Sequence, residues 1–139
     1  MKNRSQAGFT LIELMVVAII VAILAAVAIP LMSANKKRAM ATEAEAGLGS
    51  VRTALRAMFA ESGAYNLDLN RVAITAPTSV TNLPGVGSGD LNGKYFTSPD
   101  YSLTAVGAAT YTIQAQGTGG VAGVTITLNE AGNWTRVGL

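Results

Sequence analysis

The 139-residue sequence contains no cysteine and no histidine. Without cysteine, neither a disulfide nor a thiolate metal site can form, and without histidine the commonest general base and metal ligand is missing. Charged residues make up only 13% of the chain, with ten basic and eight acidic side chains, so binding to nucleic acid is not indicated. We therefore expect no catalytic group, no metal and no cofactor, and the chain is not predicted to be an enzyme.

Hydrophobic residues account for 50% of the chain, and many lie in one run from Phe9 to Met32. These 24 residues rise roughly 36 Å as a helix, enough to cross the hydrocarbon core of a membrane. The only ionisable side chain within the run is Glu13. A carboxylate in hydrocarbon is costly unless it has a partner, so Glu13 is predicted to be functional. The simpler alternative is an ordinary membrane anchor, with Glu13 near the lipid–water interface.

A short basic stretch, MKNRSQAG, precedes the apolar run and ends in Gly8. An aromatic residue follows it directly, and a glutamate lies four positions after that, in the string Gly8-Phe9-Thr10-Leu11-Ile12-Glu13-Leu14-Met15. This arrangement resembles the prepilin leader junction of the type IV pilin superfamily, which includes pilins, minor pilins and the pseudopilins of type II secretion. The motif covers about the first fifth of the chain.

The resemblance implies a role for each residue of the junction. A prepilin peptidase would cut between Gly8 and Phe9 and methylate the new amine of Phe9. Glu13, together with Thr10, is assigned to subunit assembly, in which the carboxylate pairs with the Phe9 amine of a neighbouring subunit. Cutting creates a cation at the head of an apolar helix, and removing one partner of such a buried pair costs about 3–5 kcal/mol.

Basic residues flank the apolar run on both sides, with Lys2 and Arg4 before it and Lys-Lys-Arg at 36–38 after it. The positive-inside rule alone would place the N-terminus outside the cell. The resemblance instead places the leader in the cytoplasm, and we follow it because the junction is the more specific signal. We then expect Glu43 and Glu45 to offset the downstream basic residues. Loss of the leader leaves eight basic and eight acidic side chains.

A second helical segment follows the membrane run, because no proline occurs between Ser33 and Ala60. Apolar residues recur every three or four positions and predict one buried helix face, formed by Met40, Ala44, Leu48, Val51, Leu55, Met58 and Phe59. Ser62-Gly63 predicts the C-terminal end of this helix. Pro30 cannot donate a helical hydrogen bond. We predict a helix break at Pro30 that makes 22–30 the weakest stretch in a filament; the alternative is two separate helices.

The remaining sequence predicts a head domain. Residues 63–92 are rich in turn-forming residues and predict a connecting loop, with at most a short strand. Alternating residues beyond Gly93 predict short strands at Lys94–Thr97, Tyr101–Val106, Tyr111–Gln116, Gly123–Leu128 and Trp134–Val137. The predicted fold is α+β, with an antiparallel sheet of about four strands on the helix. Its divisions are leader 1–8, membrane helix 9–32, amphipathic helix 33–62, loop 63–92 and sheet 93–139.

The resemblance implies a structural subunit of a type IV pilus. The precursor would lie in the inner membrane. It would polymerise helically with itself and with related pilins, through an assembly platform and a cytoplasmic ATPase, into a filament at the cell surface. A periplasmic pseudopilin of type II secretion or competence is the alternative. The last forty residues hold only two acidic residues, Asp100 and Glu130, too few for the calcium loop of major pseudopilins. A membrane-anchored enzyme or binding domain is the third hypothesis.

Overall fold

The structure is a computed structural model that describes residues 8–139. Apart from Gly8, the predicted leader lies outside the described residues. One long helix precedes five strands: α1 (Leu11–Ser62), β1 (Thr78–Ser79), β2 (Tyr101–Val106), β3 (Tyr111–Gln116), β4 (Thr125–Asn129) and β5 (Trp134–Val137). The predicted α+β class is confirmed. The chain divides into two compact units between Lys36 and Lys37, and each is described by itself.

The first unit contains the apolar part of α1. All its described residues are exposed, and the helix is long and apolar enough to cross a membrane. Pro30 lies inside α1, which continues through it without interruption. Two separate helices are therefore not found. The predicted weakness around Pro30 concerns an assembled filament and stays a prediction.

In the second unit, α1 packs one face into a hydrophobic core. The predicted stripe is buried from Met40 to Met58, and Ala41 joins it. Phe59 differs from the prediction, because it is 36% exposed and its ring lies against that of Tyr65, with 4.5 Å between centroids. The sheet supplies the opposite side of the core through its buried side chains, among them Leu103, Tyr111, Ile113, Ala115, Ile126 and Leu128.

The sheet is antiparallel throughout, and its strands lie in chain order from β1 to β5. Strands β2, β3 and β5 have the predicted bounds. Strand β4 begins two residues later and ends one residue later than the predicted Gly123–Leu128. Its start is displaced because Gly123 adopts a φ of +88° that does not fit a strand. The sheet has five strands instead of about four, because Thr78 and Ser79 within the predicted loop pair with β2.

The strand predicted at Lys94–Thr97 is wrong. The backbone N–H groups of Lys94, Tyr95 and Phe96 donate to the carboxylate of Glu43 on α1, at 3.1, 2.7 and 2.7 Å. Donors held by a side chain are not available to a strand ladder. Glu43 makes no ion pair with the basic residues at 36–38 within the described residues, and the expectation that its charge offsets theirs stays a prediction.

Two glycines explain how α1 ends and how closely it approaches the sheet. Gly63 follows the last helical residue with a φ of +81°, and its N–H donates to the carbonyl of Phe59 at 2.8 Å. This confirms the predicted end of the helix. Within α1, a Cβ on Gly47 would overlap the ring of Tyr101, whereas a Cβ on Gly49 would meet no atom within 4 Å. The absence of a side chain at Gly47 therefore admits the Tyr101 ring.

Candidate assembly site at the start of the helix

The predicted cleavage junction lies just before α1. Gly8, Phe9 and Thr10 are exposed and have no regular secondary structure, and the side chain of Phe9 is 83% exposed. A Cβ placed on Gly8 would meet no atom within 4 Å. Among residues 8–139, the peptide bond between Gly8 and Phe9 is therefore exposed and lies outside the hydrogen-bonded helix.

Thr10 and Glu13 form a reciprocal cap on the first turn of the helix. The backbone N–H and the hydroxyl of Thr10 both donate to Oε2 of Glu13 at 2.8 Å, and the N–H of Glu13 donates to the Thr10 hydroxyl at 3.3 Å. This is a capping box, which satisfies backbone donors that have no partner within the helix. The cap fixes where the carboxylate stands at the head of the apolar segment.

The carboxylate of Glu13 keeps capacity for another partner. Both contacts from Thr10 reach Oε2, and within residues 8–139 no hydrogen bond is made to Oε1. An ionised carboxylate offers about four lone-pair directions, so a further cationic donor can be accepted without breaking the cap. Phe9 lies one residue before the cap, and in the uncut chain its nitrogen still belongs to the peptide bond with Gly8.

The surface around this carboxylate is almost entirely apolar. From Phe9 to Met32, the large hydrophobic side chains are each at least half exposed. A continuous apolar surface of this extent is not stable in water and marks contact with lipid or with other protein chains. Within residues 8–139, no group of three acidic side chains stands close enough together to hold a metal ion.

The structure brings together two of the predicted site residues, Thr10 and Glu13, while Phe9 stands beside them and Pro30 lies seventeen positions beyond Glu13 on the same helix. The contact between Glu13 and Thr10 within one chain was not predicted, since the predicted partner of Glu13 was an amine in another subunit. The spacing Thr-x-x-Glu before an apolar run is the signature of a capping box, so the signal was present.

The N-terminal segment, and most of the chain beyond it, match known proteins. The family model described as the prokaryotic N-terminal methylation motif matches residues 3–29. Fimbrial protein EcpC of Eikenella corrodens is 33% identical over 135 residues, which cover 96% of this chain and 80% of that protein. The chain belongs to the type IV pilin superfamily. The similarity to EcpC extends well past the N-terminal motif and includes the head.

Two further members of the superfamily match over shorter stretches. The type IV major pilin protein PilA of Myxococcus xanthus is 40% identical over 70 residues, 50% of this chain and 32% of that protein. The type II secretion system core protein G of Aeromonas hydrophila is 37% identical over 75 residues, 54% of this chain and 48% of that protein. The chain thus spans about a third to a half of these two superfamily members. No solved structure matches it.

Proposed function

We propose that this protein is a structural subunit of a type IV pilus. The observation that carries the proposal is the exposed apolar segment of residues 9–32, helical from Leu11 onward, which has a single carboxylate, Glu13, near its start. Burying such a helix among copies of itself removes its apolar surface from water and lipid, and the carboxylate then needs a cationic partner in the neighbouring chain. Nothing in this arrangement calls for catalysis, and no catalytic role is proposed.

The subunit begins as a membrane precursor. A prepilin peptidase cuts after Gly8, and methylation leaves the new Phe9 amine able to carry a positive charge. The exposed junction supports this step, because the bond lies outside the helix. The precursor spans the inner membrane once, and an assembly platform and a cytoplasmic ATPase move it into a filament of itself and related pilins at the cell surface.

Pairing in the filament uses the free side of the Glu13 carboxylate. Thr10 holds Oε2 and orients the group, while Oε1 receives the Phe9 amine of the neighbouring subunit. The two hydrogen bonds from Thr10 support these separate roles of the two oxygens, because they hold the carboxylate in place within a single chain. Pro30 acts later, because its missing N–H makes the surrounding turn the easiest part of the helix to extend.

A pseudopilin of type II secretion or of a competence system is the second candidate, supported by the 37% identity to core protein G of Aeromonas hydrophila. It would assemble by the same chemistry into a short periplasmic fibre. Asp100 weighs against a calcium-bearing head of the major pseudopilin kind, because its two oxygens accept hydrogen bonds from Thr97 and Thr118.

Mass spectrometry of filaments sheared from the cell surface tests the proposal. We expect the chain as a dominant species that begins at methylated Phe9. Its absence from sheared filaments, with the cut chain present in the envelope fraction, would instead favour the pseudopilin. Recovery of the chain with residues 1–8 still attached, from membranes alone, would contradict both candidates.

A further inference from the structure

A run of three basic residues, Lys-Lys-Arg at 36–38, follows the apolar segment, and all three are exposed. We refer to this run as the basic cluster. It is the densest concentration of one charge sign in the sequence. Like charges at neighbouring positions repel one another, so such a cluster is unfavourable unless anions lie nearby.

Within the described residues, the acidic residues closest along the chain make no ion pair with the basic cluster. Glu43 accepts three backbone hydrogen bonds from the loop at Lys94–Phe96. Glu45 is paired with Arg136 on β5, in the one ion pair found within residues 8–139. Neither carboxylate makes an ion pair with the basic cluster within residues 8–139, which leaves the cluster available to a counter-charge outside the subunit.

The position of the cluster indicates where that charge comes from. Lys37 lies five residues after Met32, the last residue of the apolar run. Five residues of helix rise roughly 7.5 Å, and the headgroup layer on each face of a bilayer is about 5–7 Å thick. Basic side chains at that distance reach the phosphates of the lipid headgroups, where anionic lipids attract them.

We infer that Lys37 and Arg38 bind the phosphate groups of anionic phospholipids on the membrane face from which the head projects. Arg38 can bind one phosphate through two N–H groups, and Lys37, which leaves the helix in a different direction, supplies a point charge to a second lipid phosphate. Binding holds the subunit at a fixed depth until assembly withdraws it from the bilayer. This inference rests on the membrane-anchored precursor of the proposed function and adds a lipid class to it.

The test compares two double variants of the full chain, purified in detergent. K37Q/R38Q removes the proposed ligands, and R71Q/K94Q removes the same two charges from exposed head positions outside any ion pair of the described residues. Phosphatidylglycerol or phosphatidylcholine is titrated into each protein, and bound lipid is counted by native mass spectrometry. Circular dichroism verifies that the three proteins fold alike, and a parallel titration adds inorganic phosphate as competitor.

We expect the wild type and R71Q/K94Q to prefer phosphatidylglycerol, and K37Q/R38Q to lose roughly ten- to thirtyfold in affinity for it. An unchanged preference of K37Q/R38Q for phosphatidylglycerol would overturn the inference. Equal losses of affinity in K37Q/R38Q and R71Q/K94Q would also overturn it, because only the net charge of the protein would then matter. Displacement of the lipid by an equal concentration of phosphate would reassign the site to free anions. Filament loss in K37Q/R38Q with unchanged lipid binding would reassign it to an acidic group of a neighbouring subunit.

These outcomes are separable from failure of the proposed function. Lipid titration measures the isolated subunit and needs no filament, whereas the identity of the filament subunit is measured on sheared material. A chain absent from every filament, but with lipid preference lost only in K37Q/R38Q, would keep the lipid site and remove the pilus role.

Discussion

Oε1 of Glu43 lies 2.7 Å from the backbone nitrogen of Phe96, 53 residues further along the chain. The contact fastens the loop before β2 to α1. The same carboxylate also accepts from the N–H groups of Lys94 and Tyr95. In a head that has no disulfide, these three hydrogen bonds tie the long segment between α1 and β2 to the rest of the fold.

Glu43→Gln is expected to lower the free energy of unfolding of the head by about 1–2 kcal/mol. The amide oxygen still accepts, but the charge that strengthens all three hydrogen bonds is lost and an NH₂ group now faces backbone donors. Urea unfolding of the full chain in detergent, followed by fluorescence of Trp134, measures the change. Glu61→Gln is the matched control because Glu61 is exposed, and equal effects of the two substitutions would refute the role of Glu43.

Two glycines of α1 provide a paired test of packing. Alanine favours a helix over glycine by roughly 1 kcal/mol, so propensity alone predicts stabilisation at both positions. Gly49→Ala is expected to stabilise, because its Cβ meets nothing within 4 Å. Gly47→Ala is expected to destabilise by about 1–3 kcal/mol, because its Cβ overlaps the buried ring of Tyr101. The melting temperatures of both variants measure the effect. A shift of the two melting temperatures in the same direction would disprove the tight contact between Gly47 and Tyr101.

The hydroxyl of Tyr101 provides a pH test of the same region. Burial raises its pKa to about 12, and the nearby charges of Glu43 and Asp100 contribute to the rise. An unfolded tyrosine ionises near its ordinary value of 10. Protonated Tyr101 therefore contributes fully to the free energy of unfolding of the head below about pH 10. Between pH 10 and about 12 the unfolded chain loses this proton before the folded one does, so the free energy of unfolding falls as the pH rises.

Ultraviolet titration of tyrosinate should show a late-ionising group in the wild type that disappears in Tyr101→Phe. Tyr111 is also expected to ionise late, because burial raises its pKa. Because Tyr111 is present in both proteins, the difference between the wild-type and Tyr101→Phe curves isolates the contribution of Tyr101. A titration curve unchanged by the substitution would contradict the assigned environment of Tyr101.

Much of the fold followed from patterns local in the sequence. Spacing within a few residues decides the buried stripe of α1, the end of that helix and the bounds of three strands. These are the stripe from Met40 to Met58, the helix end at Ser62 and the strands β2, β3 and β5. The misplaced strand at Lys94–Thr97 shows the limit of such reasoning. Its outcome depends on a carboxylate more than fifty residues away, and no local pattern reports such a partner.

The candidate site likewise has features that the local sequence predicts and contacts that it does not. The junction at Gly8 and Phe9 is a compact motif and was predicted from sequence, together with the importance of Glu13. The engagement of Glu45 by Arg136, 91 residues away, was not predicted. Charge pairs across a fold depend on tertiary arrangement and not on sequence spacing, so no local pattern reports this contact.

Thr10→Ala separates capping from charge pairing at the helix start. The substitution removes the hydroxyl contacts of the cap and is expected to weaken the first helical turn by about 1 kcal/mol. Because Glu13 keeps its charge, filaments should form in reduced amount. Quantification of sheared pilin against cellular pilin measures the loss. Complete loss of filaments with normal cleavage would show that the hydroxyl is needed for assembly itself and not only to orient the carboxylate.

The most direct measurement is the filament yield of Glu13→Ala, with the mass of the cellular chain recorded in parallel. The account predicts that cleavage after Gly8 continues and that the cut chain accumulates in the membrane without entering filaments. Glu61→Ala, which removes an exposed acid from the far end of α1, should cut and assemble normally. Wild-type amounts of filament from Glu13→Ala would contradict the central claim that this carboxylate joins one subunit to the next.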